Sequence, residues 1–96
     1  MKLAELNKLL NSELTTKIKK SSMDNDELLI NVKTDDLNST LLFLKNNENC
    51  RFRQLIDITA VDFPNSEERF AIYYLLLSHE NNLRIKVLIT FNTEEK

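Results

Sequence analysis

The sequence predicts an α+β fold, a two-layer sandwich in which two helices pack on one face of a mixed or antiparallel sheet of four to five strands. Two observations lead to this class. Leucines recur at helical spacing in two segments, and apolar residues alternate with polar ones in most of the others. These segments follow the order helix, one or two strands, helix, three strands (α-β-β-α-β-β-β), which favours both helices on the same side of the sheet.

The first half of the chain begins with a helix and continues into strands. Leucine spacing predicts a helix from about Lys2 to Ser12. The polar segment Thr15–Lys20 fits an edge strand because lysines protect an edge from pairing, and Ser21–Asp26 fits a turn. Alternation over residues 28 to 32 then predicts a strand with one buried face.

The second helix is predicted from a start signal and a leucine stripe. Thr34-Asp35-Asp36 offers a capping oxygen followed by acids that complement the helix dipole. Leu37, Leu41 and Leu44 form the buried stripe. The helix is expected to end at Asn46-Asn47, because asparagine tolerates the left-handed conformation that this glycine-free chain must supply in another way.

Three strands are predicted in the last part of the chain, over Arg53–Val61, Arg69–Ser78 and Arg84–Phe91, with a hairpin turn at Asn81-Asn82. The middle strand is apolar on both faces. Its side chains divide into Phe70, Ile72, Tyr74 and Leu76 on one face and Ala71, Tyr73, Leu75 and Leu77 on the other. A sheet covered by helices on one side should be polar on the other, so the second set predicts a protein interface. The alternative is that the C-terminal tail or the first hairpin folds over it.

Composition limits the function. The 96 residues predict a single domain, 1–96, and 42% apolar with 29% charged residues is ordinary for a globular protein. A net charge of −2 argues against nucleic acid as a partner. No apolar run approaches the ~20 residues of a membrane span, and the N-terminus does not resemble a secretory signal.

Cofactor and metal sites are not expected on this chain. One cysteine, Cys50, and one histidine, His79, cannot assemble a zinc or iron–sulfur site within the chain. The absence of glycine excludes the glycine-rich loops that bind phosphates. We interpret Cys50 as a packing residue and His79 as a solvated turn residue.

Acidic and basic side chains offer a weaker set of candidates. Asp57 and Asp62 are five residues apart in a strand, so alternation puts them on opposite faces and argues against a carboxylate pair. Asp57 is expected to meet an arginine or a partner, and Asp62 to cap the turn before Pro64. The basic residues Arg51, Arg53, Arg69, Arg84 and Lys86 are expected to form scattered ion pairs and no nucleic-acid groove.

The sequence resembles a known family in three blocks. They read L-I-D-I-T-A-V-D-F-P, E-R-F-A-I-Y-Y-L-L-L-S and N-L-R-I-K-V, and they are similar to the 30-kilodalton subunit of respiratory complex I, the proton-pumping NADH–quinone oxidoreductase. The positions that match the family pattern and carry polar or aromatic groups are Asp57, Thr59, Asp62, Arg69, Phe70, Tyr74, Ser78 and Arg84. Tyr73, Leu75 and Lys86 depart from it.

The resemblance covers roughly Leu28 to Thr90 and implies the N-terminal domain of that 30-kilodalton protein, without the C-terminal extension of the family. It implies a non-catalytic structural role in the peripheral arm, on the cytoplasmic side of the bacterial inner membrane. The implied partners are the quinone-pocket subunit and neighbouring iron–sulfur subunits, with membrane contact only through the complex. The resemblance implies no flavin, cluster or quinone on this chain.

Two other functions stay open on the residues alone. One is a stand-alone ligand-binding or regulatory domain, which would need a pocket with convergent polar groups. The other is a small hydrolase built around Asp57 or His79, which would need a nucleophile and an orienting group.

Overall fold

The structure is a computed structural model that describes residues 2–24 and 27–92. It confirms the α+β class and the strand count. The elements are α1 (Leu3–Glu13), β1 (Ile18–Met23), β2 (Glu27–Val32), a 3₁₀ turn (Thr34–Asp36), α2 (Leu37–Asn46), β3 (Gln54–Asp62), β4 (Phe70–Ser78) and β5 (Leu83–Phe91).

The five strands form one mixed sheet in the order β1-β2-β5-β4-β3. Neighbouring strands are antiparallel except β2 and β5, which run parallel. The last three strands, β3, β4 and β5, form a meander. Its β5 end pairs with β2 in the middle of the sheet, and its β3 end lies at the sheet edge. The two edges of the sheet are therefore β1 and β3.

The core lies between the helices and one face of the sheet. Alternate residues of β2 and β5 point toward the helices, and α1 contributes a stripe at positions 6, 10 and 14. The buried cluster consists of Leu6, Leu10, Leu14, Leu28, Ile30, Val32, Leu44, Cys50, Phe52, Leu76, Ile85, Val87 and Ile89. Both helices therefore cover the same face, as the element order predicts, and we call the opposite face the outer face.

The first strand lies further along the chain than the prediction of Thr15–Lys20. Thr15 Oγ1 donates to the carbonyls of Asn11 (2.5 Å) and Ser12 (3.1 Å), and the N–H groups of Lys17 and Ile18 donate to Leu14 O. These bonds hold the residues after α1 in a turn, so pairing begins only at Ile18. It continues to Met23, through residues predicted as a turn, and Asn25 and Asp26 of that predicted turn lie outside the described residues.

Both ends of α2 differ from the prediction. Thr34 does not cap the helix, because residues 34–36 form a 3₁₀ turn and its hydroxyl donates to Thr90 O (3.3 Å). Asn47 is not left-handed at the other end (φ −66°), because its side-chain oxygen accepts the Asn49 N–H (2.8 Å) in an Asx turn. The left-handed residue of this loop is Arg51 (φ 52°).

Candidate protein-interaction surface

The outer face carries two rows of side chains that run across the sheet. Cross-strand partners share a face, so the register places Leu29, Lys86, Leu75 and Asp57 in one row and Asn31, Leu88, Tyr73 and Thr59 in the next. Leu77 lies beside Arg84 and Gln54. Apolar residues of β2, β4 and β5 therefore form a continuous surface with Tyr73 and Leu75 near its centre.

The four residues predicted as an interface differ in exposure. Tyr73, Leu75 and Leu77 are partly exposed, whereas Ala71 is 1% exposed. Ala71 lies opposite Thr90, whose hydroxyl donates to Glu68 Oε1 (2.6 Å) in the β3–β4 loop. The β3–β4 loop therefore contacts the end of the outer face where Ala71 lies. The small Ala71 side chain is buried there, whereas Tyr73, Leu75 and Leu77 remain accessible.

A depression of about 380 Å³ adjoins this surface near β1. Its lining includes Leu29, Asn31 and Leu88 from the outer face. Asn31 Oδ1 is buried and has no hydrogen-bond partner among the described residues. A buried acceptor without a donor costs about 1–3 kcal/mol, so this oxygen is a position where a donor from a partner is favourable.

The strand β3 is a second apolar surface, and sequence reasoning did not identify it. All of its residues except Val61 are exposed. Three of them are large apolar residues, Leu55 (50%), Ile56 (42%) and Ile58 (53%), and the exposed Phe63 (42%) follows in the next loop. The sequence of β3 has the same pattern as that of β4, with apolar residues on both faces. Whether such a strand is covered depends on its position in the sheet, and the sequence of a single strand does not reveal that position.

Asp62 and Arg69 form the best-defined polar contact of the family-pattern residues. Arg69 donates from Nε to Asp62 Oδ1 (2.7 Å) and from its terminal nitrogen to Oδ2 (3.0 Å), across the first rung of the β3–β4 hairpin. Its guanidinium also lies 5.1 Å from the centre of the Phe70 ring. Asp62 therefore binds an arginine, where a turn-capping role was predicted.

This contact lowers the pKa of Asp62, chiefly through the hydrogen bonds from Arg69. A carboxyl with a lowered pKa adds stability above its unfolded-state pKa and loses it as the pH falls through the folded-state pKa. We expect Arg69→Gln to bring the Asp62 pKa back toward the ordinary value of about 3.9 in an NMR titration. Glu68 is the internal control, because its lowered pKa depends first on the Thr90 hydroxyl and should stay lowered. An Asp62 pKa that remains low in the variant would contradict the assignment.

The remaining family-pattern residues have structural surroundings. Phe70 and Phe91 pack with their ring centres 6.0 Å apart, and Tyr74 packs against the core. Ser78 is fully buried and accepts hydrogen bonds from Asn81. Thr59 and Arg84 are exposed.

The candidate chemical groups do not come together in the described part of the chain. Asp57 and Asp62 lie opposite Leu75 and Phe70, hence on opposite sheet faces as predicted. His79 Nε2 lies 2.5 Å from Gln54 Oε1. Burial raises the pKa of the Cys50 thiol to about 11, so this sulfur is protonated at neutral pH and packs in the core. Among residues 2–24 and 27–92, no three His, Cys, Asp or Glu side chains are grouped to hold a metal ion.

Four of the five basic residues form ion pairs, as predicted. Arg51 and Arg53 contact Glu80 at 3.3 and 3.9 Å, Arg69 binds Asp62, and Lys86 lies 3.5 Å from Glu27. The fifth, Arg84, lines a wide groove of about 950 Å³ together with Asp24, Glu27 and His79. The charges around this groove are of both signs.

Comparison with known proteins shows which family the chain belongs to. The family model described as "Respiratory-chain NADH dehydrogenase, 30 Kd subunit" matches residues 30–96. The chain belongs to this family. A subunit of the NADH-quinone oxidoreductase of Rhodospirillum rubrum is 39% identical over 88 residues, which is 92% of this chain and 41% of the relative. Subunit 9 of the NADH-ubiquinone oxidoreductase of Reclinomonas americana is 46% identical over 70 residues, 73% of this chain and 34% of the relative.

The chain spans less than half the length of these curated relatives. Among solved structures, a chain of the membrane-bound sulfane sulfur reductase, an archaeal respiratory membrane complex, superimposes with a TM-score of 0.75 at 22% identity. The match covers 91% of this chain and 48% of that one, and it shows a shared fold. None of the described helices is long and apolar enough to cross a bilayer.

Proposed function

We propose that this member of the 30-kDa family is a non-catalytic structural part of the peripheral arm of proton-translocating NADH–quinone oxidoreductase. The observation that carries the proposal is the accessible apolar outer face in a chain of this family. The chain supports electron transfer from NADH to quinone by assembling with the quinone-pocket subunit and neighbouring iron–sulfur subunits. It lies on the cytoplasmic side of the bacterial inner membrane and meets the membrane only through the complex.

The structural role is supported by where the potentially reactive groups lie. The thiol of Cys50 is protonated and buried in the core. Asp62 forms an ion pair with Arg69. His79 contacts the side-chain amide of Gln54 and no nucleophile among the described residues. None of these groups is arranged with a nucleophile or a second catalytic group among the described residues, so we expect no active site and no bound cofactor on this chain.

The outer face has the composition of an interface core. Tyr73 and three leucines, Leu29, Leu75 and Leu88, form its centre, and the Lys86–Glu27 ion pair lies among them. Tyrosine is enriched in binding hot spots, and the apolar side chains around Tyr73 exclude water from it when a partner binds. A partner that covers this face also gains a donor site at Asn31 Oδ1.

The test uses a tagged chain in cells that contain the rest of the complex. The tagged wild type is expected to co-isolate the quinone-pocket subunit. Tyr73→Lys is expected to reduce that yield at least ~10-fold, because a desolvated lysine in an apolar interface costs more than the 1.4 kcal/mol that a tenfold change requires. Tyr73 lies directly opposite Leu88 and Thr59, and its diagonal neighbours in the next row, Lys86 and Asp57, carry one charge of each sign, so the new lysine meets no net like charge within the sheet.

Leu42→Lys is the matched control, because Leu42 is an exposed apolar residue of α2, remote from the outer face. Thermal unfolding of both variants separates lost binding from lost folding. A wild-type chain that brings down only unrelated proteins, or a folded Tyr73→Lys chain with an unchanged yield, would refute the proposal.

A further inference from the structure

The two edges of the sheet are built differently. The β1 edge is six residues long and carries Lys19, Lys20, Ser21 and Ser22, with a register shift between Ile18 and Lys20. Charge, brevity and irregularity are the features that keep an edge from pairing with another chain. The β3 edge is nine residues long, presents Leu55, Ile56 and Ile58 to solvent, and has a bulge only near its start, between Leu55 and Asp57. The β3 edge is therefore the less protected of the two.

The backbone of β3 has free hydrogen-bonding groups beyond its bulge. The N–H of Phe63 donates to Arg69 O (2.6 Å), which makes residues 63 and 69 a hydrogen-bonded pair. Pairs of this kind alternate along an antiparallel ladder, and the register is regular from Asp57 to Asp62. The N–H and C=O groups of Ile58, Ala60 and Asp62 therefore face away from β4, toward the open edge.

Asp57 brings a negative charge to this edge. Its Oδ1 accepts the outward N–H of Ile58 (2.9 Å), which places the carboxylate beside the open row of backbone groups. The described strands contain three acids. Glu27 pairs with Lys86 and Asp62 with Arg69, whereas Asp57 has no ion pair among the described residues.

We propose that the β3 edge accepts an extended strand of another polypeptide, with apolar side chains at alternate positions and a lysine or arginine opposite Asp57. Backbone bonds to the C=O of Ile58 and to the N–H and C=O groups of Ala60 and Asp62 provide affinity, and the cation selects the partner and its register. The apolar side chains of the added strand cover Leu55 and Ile58. This inference rests on the proposed function, because it describes how a neighbouring subunit attaches.

Charge argues against a second copy of this chain as the occupant. Residues 54 to 62 contain two acids and no lysine or arginine. Pairing two such strands adds like charges and leaves Asp57 without a cation, and like charges across strands are unfavourable. A basic partner strand removes both problems.

Amide hydrogen exchange on the assembled complex tests the backbone part directly. In the isolated wild-type chain the amides of Ala60 and Asp62 should exchange fast, since they bond to no other strand. In the co-isolated complex we expect their exchange to slow by at least ~100-fold, as for amides in a stable ladder. Equal rates in both states would overturn the inference. Slow exchange in the isolated chain, with a doubled molar mass, would overturn it in favour of self-pairing.

Two variants test the edge and the charge separately. Ala60→Pro removes only an outward N–H, which an edge strand tolerates, and should lower the co-isolated yield at least ~10-fold in a folded chain. Asp57→Lys should lower it by a similar factor through repulsion of the partner's cation. An unchanged yield in Asp57→Lys refutes the basic partner.

If the wild type co-isolates the quinone-pocket subunit and Tyr73→Lys does not, while Ala60→Pro has no effect, strand addition fails and the proposed function survives. If the wild type captures no subunit, the proposed function fails as well.

Discussion

Replacing Leu10 with alanine is expected to lower the free energy of unfolding by about 2–5 kcal/mol. Leu10 is fully buried at the middle of the α1 stripe, between Leu6 and Leu14, in the cluster that joins the helices to β2 and β5. The substitution loses the transfer free energy of the removed methyl groups and leaves a cavity that a helix anchored on both sides cannot close. Chemical denaturation measures the change.

The expected fall in melting temperature is large because the chain is short. Single domains have about 5–15 kcal/mol of stability, and a chain of this size loses about 4–8 °C of Tm for each kcal/mol. We therefore expect a fall in Tm of at least about 8 °C. Leu42→Ala removes the same atoms from a residue that is 58% exposed and should change stability by less than about 0.5 kcal/mol. Equal effects of the two substitutions would contradict this assignment of the core.

Local patterns predicted most of the fold because they follow from which face of each element is buried. The stripe of leucines in α1 and the alternation of Leu28, Ile30 and Val32 are direct records of burial against the sheet or helices. The exact ends of elements depend on hydrogen bonds within turns, which the periodicity of apolar residues does not predict. The side-chain bond of Thr15 places the start of β1 later than predicted, and the Asx turn of Asn47 leaves Arg51 as the left-handed residue of the loop after α2.

The accessible apolar surfaces were predicted only in part, for a topological reason. The set containing Tyr73 and Leu75 could be predicted from one strand. The helices of a two-layer fold cover only one face of the sheet, so a strand that is apolar on both faces leaves one apolar face uncovered. The exposure of β3 depends on strand order. Parallel pairing of β2 with β5 fills the centre of the sheet and leaves β3 at the edge, and that pairing joins residues 57 positions apart with no local signal. The same apolar strand would be core in another order.

Asn81 is a structural residue that sequence reasoning treated only as part of a turn. Its side-chain amide donates to Asn49 O (3.1 Å), Cys50 O (3.0 Å) and Ser78 Oγ (3.3 Å). These bonds join the β4–β5 turn to the loop that leads from α2 to β3. Glu80 strengthens the same connection through ion pairs with arginines of that loop. The amide therefore supplies donors to two carbonyls of a loop that lies outside the strands and helices.

We expect Asn81→Ala to destabilise the fold by about 1–3 kcal/mol, because it removes the amide donor from the partly buried Cys50 carbonyl and from the Asn49 carbonyl. Asn81→Asp keeps the shape but turns a carboxylate toward two carbonyl oxygens, so it should cost at least as much, and the loss should shrink when that carboxylate is protonated below about pH 4. Asn65→Ala, at an exposed asparagine of the β3–β4 loop, should stay within about 0.5 kcal/mol of the wild type. Chemical denaturation of the three variants at pH 7 and pH 3.5 decides the matter. If Asn81→Asp matches the wild type at neutral pH, the amide is not the donor that joins the two loops.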